Sequence, residues 1–371
     1  MFVKNLIKSS FQKVGLELRK IPFKTNFLIE KSQHVPSVKS SIVDQIFDFF
    51  NEVPPFYSDK TIAQLQIAGA WRRDFQDRRK NQLNFLASGD KDAYKNLLNQ
   101  MLRNELSMGI LEVKYYDEKS LGTKVPIQFL KNLEQFLYLT NHKVDMLDDG
   151  PFGGRWGVNI DGVLVNLSDP YKGLNAFNSA KIIDYMCNKN PTYIDFGSGL
   201  GSDAVKVEKF TTLPLRSILI DIPLNLTTAF AYVSMNTAKK CVLISSVDQL
   251  TKQLESNFTE SEFLFVPSIF VSEIGKLGIN IDLMYNHGSF SEMDYETVKF
   301  YLDNLLNGTV KSLFEINSNA PILNYGGHIE VESLNFPIPS EYKLIKRGPS
   351  LNAYFNHRNV ESLYIYKNKE I

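Results

Sequence analysis

Cysteine is nearly missing from this chain of 371 residues: Cys187 and Cys241 are the only two. Two thiols cannot build a disulfide framework or a cysteine-based zinc site, so a reducing compartment, the cytoplasm, is the expected setting. Long apolar runs are missing as well. None approaches the roughly 20 residues needed to span a bilayer. The first residues carry Lys4, Lys8, Lys13, Arg19 and Lys20 where a signal peptide would have an apolar stretch. Net charge is absent too. The 41 basic side chains balance 41 acidic ones, which excludes the bulk basic excess expected of a nucleic-acid binder. Internal repeats and low-complexity tracts are also lacking. What is left is a globular chain long enough for two domains or one enlarged one.

The charge is balanced in total but not in distribution. Residues 1 to 40 hold eight Lys/Arg against two Glu, an excess of +6. With Phe2, Leu6, Ile7, Phe11, Val14 and Leu18 interleaved, the segment reads as a basic amphipathic helix. Two uses fit it. Residues 1–20 rest on an anionic membrane surface, or the helix packs on its own domain with a solvated basic face.

From Ser40 to about Leu139 the apolar spacing is helical. Ser41 opens a run through Ile42, Ile46 and Phe50 that ends before Pro54-Pro55. Further runs cover about Thr61 to Leu86, Tyr94 to Leu102 and Pro126 to Leu137. Residues 1–149 are therefore expected to form an all-helical domain, for oligomerisation or acceptor binding. Five glycines precede Gly150, whereas Gly150, Gly153, Gly154, Gly157 and Gly162 crowd together. The stretch from Arg155 to Val165 reads as a junction of loops and short strands, followed by a helix over about Asn178 to Asn188. Beyond Pro191 strands and helices alternate, the pattern of a parallel sheet with crossovers. The strands expected are Tyr193-Phe196, Ser217-Ile220, Phe263-Val266, Ile281-Tyr285 and Leu313-Ile316, with an edge hairpin of Tyr342-Ile345 and Ser362-Tyr366. The fold class is α/β: a Rossmann-like sheet of seven strands, mostly parallel with the last antiparallel, over residues 150–371.

The strongest chemical signal is Asp195-Phe196-Gly197-Ser198-Gly199-Leu200-Gly201. An apolar strand runs into closely spaced glycines and then a helix, at the carboxyl end of the first strand, where open α/β sheets bind ligands. A dinucleotide turn would place its third glycine at position 202, which is Ser202. Asp195, two places before the first glycine, is ill suited to a pyrophosphate and well suited to a cation, such as the amino-acid end of S-adenosylmethionine. Asp221 ends the second strand, 20 residues after Gly201, where a carboxylate accepts hydrogen bonds from both ribose hydroxyls. The structural alternatives are a generic tight turn and a helix cap.

A second constellation leaves the fourth strand: Asn286-His287-Gly288-Ser289-Phe290-Ser291-Glu292-Met293. His287 is the candidate general base, since an unperturbed imidazole titrates near 6.5. Glu292 is the candidate to orient it or to bond the acceptor. The alternative is structural: Ser289 or Ser291 caps the next helix, with Glu292 at its positive end. Asp282, Glu292 and Asp294 are close in sequence, but Asp282 sits within an apolar strand, and no metal is expected. His328, Trp71 and Arg72 are weaker candidates for the site.

Together these stretches, with Asp221-Ile222-Pro223 and Phe314-Glu315-Ile316-Asn317, resemble the bacterial sugar O-methyltransferase family. The Asn-x-x-Ser-x-x-Glu-Met loop is the more specific element. The likeness covers about Gly150 to Asn317. It departs at Leu200, where the family turn carries an aromatic residue, and at Arg155-Trp156, where it carries Asn-Pro. The resemblance implies S-adenosylmethionine as cofactor and a sugar or glycan as acceptor, with a homo-oligomer among the assemblies to expect. The residues assigned to the cofactor are Asp195, Gly197, Ser198, Gly199, Gly201, Asp221, Ile222 and Asn286. Residues near Val266-Pro267-Ser268 are assigned to the adenine. The rivals are a nicotinamide-dependent oxidoreductase and a non-catalytic adenosylmethionine-binding subunit.

Overall fold

The computed structural model describes residues 27–53, 79–107, 118–187, 189–319, 331–350 and 359–367. The basic segment 1–20, Trp71, Arg72, His328 and most of the helix expected over 61–86 lie outside the described residues.

Eight strands make the main sheet: β4 (Thr192–Phe196), β5 (Arg216–Asp221), β6 (Lys240–Leu243), β7 (Glu262–Pro267), β8 (Leu283–His287), β9 (Ser312–Ser318), β10 (Tyr342–Pro349) and β11 (Asn359–Tyr366). Their order is β10-β11-β9-β8-β4-β5-β7-β6. All neighbouring pairs from β9 to β6 are parallel, and β11 runs antiparallel between β9 and β10. The direction of the last strand is as expected. The count is not: β6, four residues at the sheet edge, is the eighth strand. Its sequence, Lys-Cys-Val-Leu, is too short to show a period, and only Leu243 in it is buried.

Three short strands form a second sheet, β1 (Glu30–Lys31), β2 (Trp156–Ile160) and β3 (Val163–Val165), in that order. β2 and β3 match the expected junction. β1 does not belong to an all-helical region. Glu30 and Lys31 are both exposed, so no apolar alternation marks them, and their pairing with Gly157 and Trp156 is non-local.

The N-terminal helices are α1 (Ser40–Glu52), α2 (Lys80–Ser88), α3 (Lys91–Asn99) and α4 (Ile127–Leu139). Ser41 lies inside α1 and does not cap it. Asp90 caps α3 by accepting from the Ala93 N–H at 2.9 Å. α5 (Asp169–Met186) starts about nine residues before the sequence pattern suggests. Pro170 sets the helical φ of its first turn, and the Asp169 carboxylate accepts from the Asn166 N–H at 2.7 Å. Lys172, Asn175 and Ser179 are buried beside Leu174 and Ala176, so no amphipathic stripe announces the helix. The crossovers are α6 (Ser202–Phe210), α7 (Pro223–Asn236), α8 (Val247–Glu255), α9 (Val271–Leu277) and α10 (Tyr295–Leu305).

Successive residues of β4 serve opposite faces of the sheet. Tyr193 joins a core with Leu219 and Phe265, and that core continues into Ile46, Phe129 and Phe136 of the N-terminal helices. Ile194 and Phe196 join a second core with Met284, Leu302 and Val271. The helical layer is also keyed to α7 by polar groups. Gln82 Nε2 lies 3.2 Å from the Leu224 carbonyl and 3.1 Å from Thr228 Oγ1, and Tyr94 Oη is 2.9 Å from Thr227 Oγ1. No described helix is long and apolar enough to cross a membrane.

Candidate active site

The glycine turn sits where β4 meets α6. Gly197, Gly199 and Gly201 have φ of +72°, +56° and +74°, a region that side chains with a Cβ rarely enter. A Cβ on Gly197 would lie 2.2 Å from Ser289 Oγ, and one on Gly201 2.6 Å from Leu219 Cδ2. The turn is tied to the neighbouring strand by the Gly197 N–H, which donates to the Ile220 carbonyl at 2.8 Å. Gly199 N–H donates to Asp221 Oδ2 at 2.8 Å. The other Asp221 oxygen accepts from the Ile222 N–H at 2.8 Å and from Asn225 Nδ2 at 2.9 Å. The structure therefore brings the glycine turn and Asp221 together. Asp221 pairs in register with Pro267 at the end of β7, which sets Val266-Pro267-Ser268 beside it on the same rim.

Asp195 is 3% exposed, and its Oδ2 has no hydrogen-bond partner. Burial drives its pKa well above the usual carboxylate range, and Asp203 and Asp221 add repulsion that Lys172 only partly offsets. Ser198 Oγ, on the turn, is buried and unpartnered as well. Asp221 is also raised by burial, against the pull of Asn225, the two backbone N–H groups and Arg79. Two adjacent strands thus carry carboxyls with raised pKa at their carboxyl ends, Asp221 hydrogen-bonded on both oxygens and Asp195 with one oxygen unpartnered, a pattern enriched at functional sites.

Sequence reasoning missed the groups that α5, α6 and the N-terminal layer bring to this rim. Lys172 donates to Ser202 Oγ at 2.8 Å and lies 3.6 Å from Asp203 Oδ1. Tyr285 Oη donates to Asp203 Oδ2 at 3.3 Å. Arg79, buried just before α2, donates to Gln82 Oε1 at 3.2 Å. Lys172 and Asp203 carry no motif, and Arg79 is 142 positions from Asp221. Only folding joins them.

His287 ends β8 on the same face as Tyr285, half-buried. Its ring meets Tyr171 edge-on, centroids 6.0 Å apart, and lies 6.4 Å from the Tyr285 ring. Burial lowers its pKa, partly countered by Asp203, so the neutral imidazole prevails at neutrality. Past Gly288 the chain crosses the strand end to the opposite face, where Phe290 packs 5.0 Å from Phe196. Glu292 closes a 3₁₀ turn, Phe290–Glu292. The cap of α10 is neither Ser289 nor Ser291 but Asp294, whose Oδ1 accepts from the Thr297 N–H at 2.8 Å.

Asn286 has a different placement from the one expected. Fully buried, it donates through Nδ2 to the Phe196 carbonyl at 2.9 Å and to Ser289 Oγ. Its Oδ1 accepts from Asn317 Nδ2 at 2.9 Å and the Phe290 N–H at 3.3 Å. Both donors and both acceptor positions of the amide are engaged within the protein. Asp282 lies at the amino end of β8, bonded to the Thr192 N–H at 2.9 Å and to Lys311. Among the described residues no three His, Cys, Asp or Glu side chains gather as metal ligands.

No family model matches the chain, and no curated protein matches it. Solved structures with a low similarity to about half of the chain include methyltransferases. Mitomycin 7-O-methyltransferase is 15% identical, over 54% of this chain and 55% of its own, with a TM-score of 0.35. A small RNA methyltransferase is 15% identical over 54% and 26%, with a TM-score of 0.36. Magnesium protoporphyrin IX methyltransferase from Synechocystis, with S-adenosylmethionine bound, is 11% identical over 53% and 81%, with a TM-score of 0.32. The chain thus spans about half the first of these and a quarter of the second. At this level the likeness assigns neither activity nor acceptor, and the acceptors of the three differ.

Proposed function

We propose that this chain is an S-adenosylmethionine-dependent O-methyltransferase that methylates a sugar hydroxyl of a bacterial surface polysaccharide, lipopolysaccharide or other glycan precursor. The observation that carries this reading is the buried Asp195, lacking a partner for Oδ2, one strand away from Asp221, with the glycine turn joining them. An α-amino-acid ligand fits these groups: its ammonium suits Asp195 and its carboxylate suits Lys172. A ribose suits Asp221, and an adenine suits the Val266-Pro267-Ser268 rim. A nicotinamide dinucleotide fits poorly, because its pyrophosphate would meet Asp195, Asp203 and Asp221 at a turn that has Ser202 for the third glycine.

When bound, the sulfonium supplies a methyl group that is already activated, so the chain's tasks are alignment and proton removal. His287 Nδ1 or Nε2, neutral at physiological pH, accepts the hydroxyl proton. Glu292, on the same loop, orients the imidazole or bonds the sugar. Support for a sugar acceptor is the Asn286, Ser289, Glu292, Met293 pattern of the resemblance. Residues 1–149 offer a surface for the acceptor or for a second copy. The enzyme would work in the cytoplasm. A lipid-linked acceptor would give the basic segment 1–20 a use at an anionic membrane face, and loss of liposome binding on its removal tests that.

The decisive assay follows label from methyl-tritiated S-adenosylmethionine into glycan precursors. Wild type transfers it, while His287→Ala and Glu292→Gln each slow transfer by about 10²-fold, the usual weight of a general base. Full turnover in both variants contradicts the assignment.

A further inference from the structure

Asn286 opens a lateral chain of polar side chains along the carboxyl edge of the sheet. Asn317, on β9, donates to Asn286 Oδ1 at 2.9 Å and to Glu315 Oε2 at 3.0 Å, and its own Oδ1 accepts from the Ser291 N–H at 3.3 Å. Glu315, 0% exposed, accepts at Oε1 from Ser333 Oγ at 2.7 Å and lies 3.9 Å from Arg347 Nη2. Arg347 in turn donates to Tyr364 Oη at 2.8 Å and to Ser362 Oγ at 3.0 Å. Five strands, β10, β11, β9, β8 and β4, are joined in this way. The chain ends on the Phe196 carbonyl, one residue before Gly197.

The chemistry of this line is unusual for a site that only needs to be filled. A buried apolar pair would pack the same space without hydrogen bonds to satisfy, and a polar network is retained at the risk of leaving groups unpaired. Here three of the four bonds of the Asn286 amide fix one of two segments: the glycine turn, through the Phe196 carbonyl, and the loop bearing His287 and Glu292, through Ser289 and Phe290; the fourth comes from Asn317. Ser289 Oγ also lies 3.4 Å from the Phe196 carbonyl, and it stands where a Cβ on Gly197 would be. The turn and the loop are therefore in contact, and one amide sets their separation.

We infer that Asn317 and Asn286 are positioning residues that couple the cofactor turn to the acceptor loop, so that the methyl donor and the proton-accepting group are held in one register. This rests on the methyltransferase reading of the site. Asn317 touches neither the turn nor Asp195 and Asp221, so an effect of its substitution at the turn has to travel through Asn286 or through the loop at the Ser291 N–H.

The test compares the full-length wild type with Asn317→Ala and the milder Asn317→Ser, by amide hydrogen exchange without ligand and by calorimetry with S-adenosylmethionine. The expected result is exchange at Gly197–Gly199 and at Phe290 that is about tenfold faster, with affinity weakened about three- to tenfold, the loss of one net hydrogen bond. Exchange at Val242–Leu243, on the far edge of the sheet, stays as in wild type. Asn317→Ser serves if Asn317→Ala fails to fold. Altered exchange confined to β9 in the folded variant, with affinity within twofold of wild type, overturns the coupling. A wild type that binds no S-adenosylmethionine defeats the functional reading instead, and the ligand-free exchange still decides whether the brace exists.

Discussion

Two clusters of buried acids lie on the same face of the sheet, and they are built on opposite terms. In the first, Asp149 is 1% exposed and is met by Lys206, with Arg155 at 3.8 Å. Lys206 also lies 3.2 Å from Asp169, and Tyr232 donates to Asp149 at 3.2 Å. Burial pushes the Asp149 carboxyl up, but Lys206 and Arg155 outweigh it and hold the group below the usual range. In the second, Asp195 is as deeply buried, yet its nearest charged neighbours include Asp203 and Asp221, and its pKa is well above the usual range. Burial alone does not mark a functional carboxylate. Compensation separates the two: the paired acids stitch the 148–169 junction to α6 and α7, and Asp195 keeps an unpartnered oxygen, which the proposed function gives to a cation.

Breaking each cluster should give opposite results. Lys206→Met removes one of the two cations facing Asp149 and Asp169 and is expected to cost about 3 kcal/mol, the lower end for breaking a buried ion pair because Arg155 remains, read as a lower Tm in calorimetry. Asp195→Asn should not lower Tm, and it should weaken S-adenosylmethionine binding about 10- to 100-fold through loss of a charge-assisted bond. A collapse in stability for Asp195→Asn would erase the distinction.

The pH dependence sharpens the contrast. A raised carboxyl pKa favours the folded state below the unfolded value, and that advantage is lost as pH rises through the folded one. A depressed pKa does the reverse, its contribution being lost as pH falls through the folded value. Relative to wild type, Asp195→Asn is therefore expected to gain stability as pH rises above the ordinary carboxylate range. Asp149→Asn is expected to lose it. Denaturant midpoints across acid to neutral pH check both slopes. The smallest effect belongs to His287, whose imidazole should titrate below 6.5 by NMR, while His287→Ala changes cofactor affinity less than twofold.

The sheet and the glycine turn were legible because their signals are local: glycine spacing, strand–helix alternation, and an acid at or next to the strand end. Strand β6 and strand β1 were not, being too short for a period. The first half of helix α5 was hidden by its own burial, since Lys172 and Asn175 face the interior where apolar residues are normally counted, whereas its second half lies in the helix expected over 178–188. The same helix brings Lys172 to Asp203, and α2 begins beside Arg79, across separations that no spacing rule spans. Asn286 was read from the loop motif as a cofactor residue, but its side chain is spent on the Phe196 carbonyl, Ser289, Phe290 and Asn317. The motif flags the position, and only the contacts give its role.

On the proposed function, Asp195 and Asp221 hold a cationic adenosine ligand at the ends of β4 and β5. Titration calorimetry of the full chain with S-adenosylmethionine, in two buffers of different ionisation enthalpy, tests it most directly. The account predicts one site, with protons released on binding because the bound cation favours ionised Asp195, and loss of that release in Asp195→Asn. Heat on titration with a nicotinamide dinucleotide and none with S-adenosylmethionine would contradict it.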